Sequence, residues 1–335
     1  MPGEPVPNEL LPAGWGVDDA WVRRRTGIGS RHRAGPGAAT GDLAYEAASR
    51  LLAGAPAAGP VDAVVLATAT PDHLCPGTAP ALAARLGLGT VPALDIAAVC
   101  SGFVYGLALC HGLIASGLYG RVLLVGADVY STWLDPEDRS AGVVFGDGAG
   151  AALVAAGQTG DPGELLAFDL GSDGTGYELI TVPGGGARSR ASGKPPALPD
   201  AYFRMQGSTV YQHAVERMTG SCRTLLEQVG WDPAEVDHFV PHQANARILR
   251  AVADRVGIGP QRCVTHLERV GNTGAASIPS PWPTRRAGSA PGRRPGAAHC
   301  VRGGLTWGSA ALRWPGTPQT DSTISTEGTQ HVAVR

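Results

Sequence analysis

Three side chains suited to carbon–sulfur and carbon–carbon chemistry stand in loops that follow predicted strands. Cys100 closes Asp95-Ile-Ala-Ala-Val-Cys100 and opens Ser101-Gly-Phe-Val-Tyr-Gly-Leu-Ala-Leu109, which reads as a strand-to-helix turn. At a helix N-terminus a thiol meets unpaired backbone N–H groups and the positive end of the helix dipole, which favour the thiolate and so a nucleophile. The plainer reading of a lone cysteine is a small buried apolar residue. His242 ends the apolar run of Val240-Pro-His-Gln-Ala-Asn-Ala-Arg-Ile248, with a helix expected directly after it. Asn272 lies between glycines in Val270-Gly-Asn-Thr-Gly-Ala-Ala-Ser277. Singly, these would be a core histidine and a turn residue. Together, each in a loop after a predicted strand, Cys100, His242 and Asn272 are the parts needed to form a thioester and then stabilise an enolate.

The elements that must position them follow an internal repeat. Val61-Asp-Ala-Val-Val-Leu66 is matched by Val236-Asp-His-Phe-Val-Pro241, and Leu82-Ala-Ala-Arg-Leu-Gly-Leu-Gly89 by Val252-Ala-Asp-Arg-Val-Gly-Ile-Gly259. Each pair is a short apolar strand followed by an amphipathic helix stopped at glycine. Duplicated βα units imply mostly parallel sheets covered by helices, an α/β fold. Strands are predicted over Ala63–Ala67, Ala93–Ile96, Arg121–Gly126, Gly142–Phe145 and Ala151–Ala155. A helix apolar nearly all round is predicted over Ser101–Ser116, which places it centrally. The turn Gly146-Asp-Gly-Ala-Gly150 lacks the lysine and helix start of a phosphate-binding loop, so it is read as close packing. Pro183–Pro196 is expected to be a mobile surface loop.

Composition narrows the function. With 335 residues, 43% hydrophobic and 17% charged, the chain can bury one large core or two fused ones. Its 27 basic and 29 acidic residues give a formal charge of -2, with no global field for nucleic acid. No run approaches bilayer length and the N-terminus lacks a charged, then apolar, leader, so a cytoplasmic location is expected. Cysteines at 75, 100, 110, 222, 263 and 300 show no metal-ligand spacing. Most of them are expected to be packing residues, and a disulfide framework is a poor fit.

With these motifs in hand, the sequence resembles the β-ketoacyl-acyl carrier protein synthase III family of the thiolase superfamily. The marks run in order: Arg25-Thr-Gly-Ile28, Ala98-Val-Cys-Ser-Gly-Phe103, Phe145-Gly-Asp-Gly-Ala-Gly-Ala151, Pro241-His-Gln-Ala-Asn245, Gly271-Asn-Thr273 and Leu305-Thr-Trp-Gly-Ser-Ala310. The resemblance implies two duplicated thiolase-like halves in a layered α-β-α-β-α core, residues 1–157 and 206–314, joined by a connecting segment 158–205; the tail 315–335, rich in Gly, Thr, Ser and Gln, is expected from its composition to be disordered. It implies a starter-unit ketosynthase of fatty acid, polyketide or secondary metabolism. In the implied reaction Cys100 takes an acyl group from coenzyme A and condenses it with malonyl-acyl carrier protein, loss of carbon dioxide generating the carbanion. No cofactor is implied beyond acyl-CoA as substrate, and a homodimer is. The backbone N–H groups of Cys100 and Gly303 would hold the oxyanion. Trp21, Arg25, Arg139 and Asn245 would contact coenzyme A, while Arg247 and Arg250 would face the acidic carrier protein. Cys75, contributed across the dimer, would gate the acyl pocket, and its small size implies starters longer or more branched than acetyl. The rival readings are a thiolase-fold acyltransferase that does not decarboxylate and an inactive scaffold.

Residues 280–302 depart from this pattern. The duplicated fold requires a helix and then a strand here, yet the chain becomes rich in Pro, Arg and Gly. Restoring one base after Pro279 permits Pro-Leu-Ala-Leu-Ala-Asp-Ala-Ala-Arg, a good helix. The remaining frame over Pro291–Arg302 permits Arg-Ala-Gly-Asp-Arg-Val-Leu-Leu-Thr-Ala-Phe-Gly, matching the strand Arg121-Val-Leu-Leu-Val125. A compensated frameshift is therefore expected, with loss of ladder hydrogen bonds and burial in the second core as written. Val301 stands where the family has phenylalanine. The resemblance also implies a strand before the Leu11-Pro12 turn, so the written start is expected to fall late.

Overall fold

The computed structural model describes residues 1–55, 59–195, 197–280, 296–303, 306–313 and 331–334, the side chains of 296–303 and 331 excepted. The first half runs β1 (Pro5–Pro7), α1 (Asp19–Thr26), β2 (Ser30–His32), α2 (Thr40–Gly54), β3 (Ala63–Ala67), α3 (Ala79–Arg85), β4 (Ala93–Ile96), α4 (Gly102–Ala115), β5 (Arg121–Asp128), α5 (Arg139–Gly142) and β6 (Gly148–Gly157). There follow β7 (Leu165–Ser172), β8 (Ile180–Thr181), α6 (Ala187–Ala191), β9 (Arg204–Met205), α7 (Gly207–Val229), β10 (Val236–Pro241), α8 (Ala246–Val256), α9 (Leu267–Val270), β11 (Gly296–Gly303), β12 (Thr306–Arg313) and β13 (His331–Val334).

Two mixed sheets result, in the orders β13-β6-β5-β3-β4 and β10-β11-β12-β7. Side chains alternate across a strand, and the apolar runs of the first sheet use both faces. Ala63 and Val65 of β3, with Val122 and Leu124 of β5, pack on α4, whereas Val64, Leu66, Leu123 and Val125 pack on α2 and α3. The α4 cluster also takes Ala310 and Leu312 from β12, so this helix is clasped between the two sheets as its all-round apolarity requires. Gly106 sits where α4 meets β5, and a Cβ there would come within 2.4 Å of Leu124. Across the second sheet, α7 and α8 cover β10 through Met218, Leu226, Val252 and Phe239. The layers are thus helix, sheet, central helix, sheet, helix. The repeated strands Val61–Leu66 and Val236–Pro241 take matching places as β3 and β10. The helix expected after Pro279, the counterpart of α4, falls mostly on 281–295, outside the described residues.

Four expectations need correction. Gly142–Phe145 is not a strand: Asp138 caps the short α5 through Ser140 N–H, and Phe145 makes only an isolated bridge to Asn272. The Pro183–Pro196 segment carries α6 and is flanked by the β8–β9 ladder, because Arg190 and its neighbours complete a helical turn. The tail is not wholly irregular, since His331–Val334 pairs antiparallel with Gly157–Val154 and buries Val332 and Val334. The polar composition of the tail masks a four-residue strand at its end. Finally, Gly296–Gly303 keeps its ladders on both sides, parallel to β10 and antiparallel to β12, so the expected loss of backbone pairing does not occur. Small residues suffice for a backbone ladder. A three-residue strand, β1, does precede Leu11-Pro12. Cys222 packs in the α7–α8 cluster and is also disulfide-bonded, while Cys75, Cys100, Cys110 and Cys263 carry free thiols. Among the described residues no helix is long and apolar enough to cross a membrane, and no cluster could hold a metal ion.

Candidate active site

Cys100 lies in a 3-10 turn, Val99–Ser101, between β4 and α4, and is 7% exposed. Val99 takes φ 49°, a left-handed conformation costly for a β-branched residue and found where a turn is over-determined by its surroundings. The surroundings are visible. Ser101 Oγ donates to Thr306 O at 2.9 Å and Thr306 Oγ1 donates to Ala98 O at 3.0 Å, so the start of β12 clamps the nucleophile turn from both sides. The helix N-terminus does not give the expected thiolate in the free protein. Burial, then the charge of Asp128, push the Cys100 thiol up to about 12, outweighing its own backbone N–H and the Tyr130 phenol.

His242 follows β10 directly and is 2% exposed. Burial lowers its pKa to about 3, so the imidazole is neutral at physiological pH. Its Nδ1 lies 2.5 Å from Ser277 Oγ, which also accepts the Gln243 N–H at 3.4 Å. With the serine oxygen accepting from Gln243, its hydrogen is free to go to Nδ1. That assignment leaves the ring proton on Nε2, as a donor.

Asn272 does not follow a strand, as expected, but leaves the short helix α9 through Gly271, whose φ of 72° suits glycine. Its backbone is held on both sides by Asn272 N–H to Val144 O and Gly146 N–H to Asn272 O, each 2.9 Å. The side-chain Oδ1 accepts the Gly274 N–H at 3.0 Å, which leaves the amide NH2 without a partner among the described residues. Beyond it, Ala275 N–H donates to Asp128 at 2.7 Å, and Ala69 N–H donates to the other oxygen at 2.7 Å. Asp128 thereby joins β3, β5 and the Asn272 loop. Burial raises its carboxyl to about 7, against these hydrogen bonds.

The three candidates converge through these contacts. Ser277, bonded to His242, and Ala275 belong to one turn, Gly274–Ser277, and a Cβ on Gly102, two residues after Cys100, would lie 3.6 Å from Ala275 Cβ. The glycine-rich segment 146–150 is structural. Asp147 accepts from Ala34 N–H, Ser131 N–H and Ser131 Oγ–H within it.

At the protein surface the structure gathers a second group. The Arg25 guanidinium lies 4.6 Å from the Trp21 ring centroid, Arg139 lies 5.5 Å from the same ring, and Asn245 Nδ2 donates to Arg25 O at 3.1 Å. Asn245 also caps α8, accepting from Arg247 N–H. Arg247 and Arg250 are exposed on that helix, Arg247 over the Tyr211 ring at 5.4 Å. Cys75 is exposed, and the strand that ends in Gly303 packs beside the Val99–Ser101 turn.

Comparison with known proteins decides the family. Residues 94–174 match the profile of 3-oxoacyl-[acyl-carrier-protein (ACP)] synthase III, and residues 226–314 match that of its C-terminal part. The chain is 54% identical over 318 residues to β-ketoacyl-[acyl-carrier-protein] synthase III 5 of Streptomyces coelicolor, covering 94% of this chain and 95% of that one. The chain belongs to the β-ketoacyl-acyl carrier protein synthase III family. A Pseudomonas aeruginosa synthase III is 48% identical over 319 residues, 94% of each chain. The crystal structure of 3-oxoacyl-(acyl carrier protein) synthase III from that species matches with a TM-score of 0.84 at 45% identity, covering 94% of this chain and 96% of that one. The priming β-ketosynthase of the R1128 polyketide pathway matches with a TM-score of 0.83 at 30% identity, covering 95% and 94%. The fold is accordingly that of the thiolase-type synthase III enzymes.

Sequence reasoning missed Ser277, Asp128, Tyr130 and the Ser101–Thr306 clamp. Ser277 was within reach, as the one hydroxyl closing the Asn272 motif. Asp128, ending an apolar strand, and Tyr130, beside it, gave no spacing signal.

Proposed function

We propose that this synthase III family member condenses an acyl-CoA starter with malonyl-acyl carrier protein through an acyl-Cys100 intermediate. The observation that supports the reading is that both candidate donors are tied to the loop 272–277, which packs against the helix start after Cys100: a buried neutral His242 has its Nδ1 on Ser277, and the Asn272 amide has its oxygen on the Gly274 N–H. In the first half-reaction the Cys100 sulfur attacks the acyl thioester, the carbon–sulfur bond to coenzyme A breaks, and CoA leaves as the thiol with the proton that Cys100 gave up. The transient oxyanion falls to the backbone N–H groups of Cys100 and Gly303. In the second, malonate loses carbon dioxide and its electron pair becomes an enolate, whose oxygen accepts from His242 Nε2–H and Asn272 Nδ2–H. The carbanion attacks the acyl-cysteine, giving the 3-oxoacyl carrier protein and freeing the Cys100 thiolate. A neutral imidazole suits this role, because it donates without surrendering its proton.

Trp21, Arg25, Arg139 and Asn245 bind the nucleotide and pantetheine parts of coenzyme A, the two guanidinium groups already lying over the indole. Arg247 and Arg250 meet the carrier protein, and two copies of the chain form the working dimer. Cys75, small and exposed, gates a pocket for propionyl, short branched or medium acyl groups. The test is intact mass after incubation with a mixed acyl-CoA pool, beside Cys100→Ala. One adduct, on the parent alone and larger than acetyl, is expected. Equal or preferred loading of acetyl contradicts the gate, and an adduct that survives Cys100→Ala contradicts the nucleophile.

A further inference from the structure

Two hydrogen bonds from one residue of the second half hold the turn that carries Cys100. Thr306 Oγ1–H donates to Ala98 O at 3.0 Å, and Thr306 O accepts from Ser101 Oγ–H at 2.9 Å, so one contact lies before the cysteine and one after it. The turn's own bonds, Ser101 N–H to Ala98 O and Gly102 N–H to Val99 O, close it locally but do not orient it against the second half. A single outside bond would act as a pivot. Two, on either side of Cys100, stop the segment from rotating, and the left-handed Val99, φ 49°, is the conformation they retain.

Thr306 is itself firmly placed. It opens β12, where it pairs with Ser172 of β7 on one side and with Gly303 of β11 on the other. Gly303 supplies the second N–H of the proposed oxyanion pair. Thr306 therefore stands in ladder register with one donor and is bonded on both flanks of the other, although the two donors come from different halves of the chain. Around α4 the halves also meet through Ala310 and Leu312, but apolar packing is non-directional and does not aim an N–H.

We infer that Thr306 is a positioning residue for this pair: its hydroxyl and carbonyl aim the Cys100 N–H at the point that the Gly303 N–H also faces. The inference rests on Cys100 being the nucleophile and on these two N–H groups receiving the oxyanion. Two donors stabilise one oxygen only when both lie within hydrogen-bond reach of it together, so a small rotation of the cysteine turn costs rate in every step that makes an acyl carbonyl tetrahedral. Alkylation of the sulfur by a saturated carbon makes no oxyanion and does not need the pair.

The experiment compares the parent with Thr306→Val, which keeps the shape and the backbone ladder but removes the hydroxyl, and with Thr306→Ser, which restores it. The acyl donor is the one the parent takes up from a pool of acetyl-, propionyl- and isobutyryl-CoA. Cys100 acylation over a range of its concentrations is set beside Cys100 alkylation by iodoacetamide, both read by mass on the peptide that holds Cys100. In Thr306→Val the acylation rate at saturating donor is expected to fall about tenfold or more, with the half-saturating concentration and the alkylation rate within about threefold of the parent. Thr306→Ser is expected to recover most of the loss. Acylation within about twofold of the parent in Thr306→Val would overturn the inference. Equal slowing of acylation and alkylation, the mark of a displaced thiol, overturns it too, as does a serine variant as slow as the valine one. Should Thr306→Val fail to fold, Ser101→Ala, which removes the other contact and leaves β12 untouched, must show the same split between acylation and alkylation; no split overturns the inference equally. Failure of the nucleophile reading is distinct, since the parent would then give no acyl adduct that Cys100→Ala removes.

Discussion

Ser277 sets what His242 can do. Its hydroxyl lies on Nδ1 while its oxygen takes the Gln243 N–H, and this orients a ring that burial keeps neutral and lets the serine hydrogen hold the tautomer protonated at Nε2. Removing the hydroxyl leaves Nδ1 without its partner and lets the proton shift between nitrogens. Ser277→Ala is expected to slow decarboxylation of malonyl-carrier protein about tenfold, the loss typical of one orienting partner, while acylation of Cys100 stays within about twofold. Separate single-turnover assays of the two half-reactions check this, and an equal loss in both would show a general structural role instead. The same residue scale explains the protonated resting thiol. A cysteine enclosed beside a carboxyl is held back until substrate arrives and the local N–H groups bear the charge.

Elements place these residues, and much of that placement was legible in the chain. The alternation of small apolar residues in β3 and β5 dictated a sheet covered on both faces, and the all-round apolarity of Gly102–Ala115 dictated a helix between sheets. Cys100 and His242 were legible because each ends an apolar run with a reactive side chain, and Asn272 because it sets an amide between glycines. Asp128 and Tyr130 were not, since their meaning comes from β5 ending beside the Asn272 loop, a contact between residues distant in sequence. The helix α5 was misread because Gly142-Val-Val-Phe145 has strand composition while the Asp138 cap starts a helical turn just before it. At the other end of the chain, Val332 and Val334 bury against the α4 cluster, and β13 covers what would otherwise be the open edge of β6. A chain ending at residue 330 is expected to lose about 2–4 kcal/mol of stability, from two buried valines less the ordering of the strand. Urea unfolding of the two chains measures this, and coincident midpoints would show that β13 adds nothing.

Across the whole molecule, pH acts through groups whose protonation differs between folded and unfolded chains. His266 is buried with neither ring nitrogen bonded among the described residues, and burial, with Arg269 nearby, lowers its pKa to about 4. A histidine depressed in the fold stays neutral while the unfolded chain takes up a proton below about 6.5. Stability is therefore lost as pH falls from about 6.5 towards 4, His242 acts in the same direction, and Asp128, raised to about 7, acts in the opposite one. His266→Leu isolates the first contribution: its gain over the parent is expected to be about 1–3 kcal/mol larger at pH 5 than at pH 7.5. A constant difference in urea unfolding at the two values would contradict it. The central claim joins both halves of the molecule, since Cys100 comes from the first and His242 and Asn272 from the second. The most direct measurement is a single turnover of acyl-loaded protein with malonyl-carrier protein, reading the carrier's mass and released carbon dioxide together. A 3-oxoacyl carrier protein formed with stoichiometric carbon dioxide and with loss of the Cys100 adduct is expected. Discharge of the adduct without carbon dioxide, or carbon dioxide without the condensed product, would contradict it.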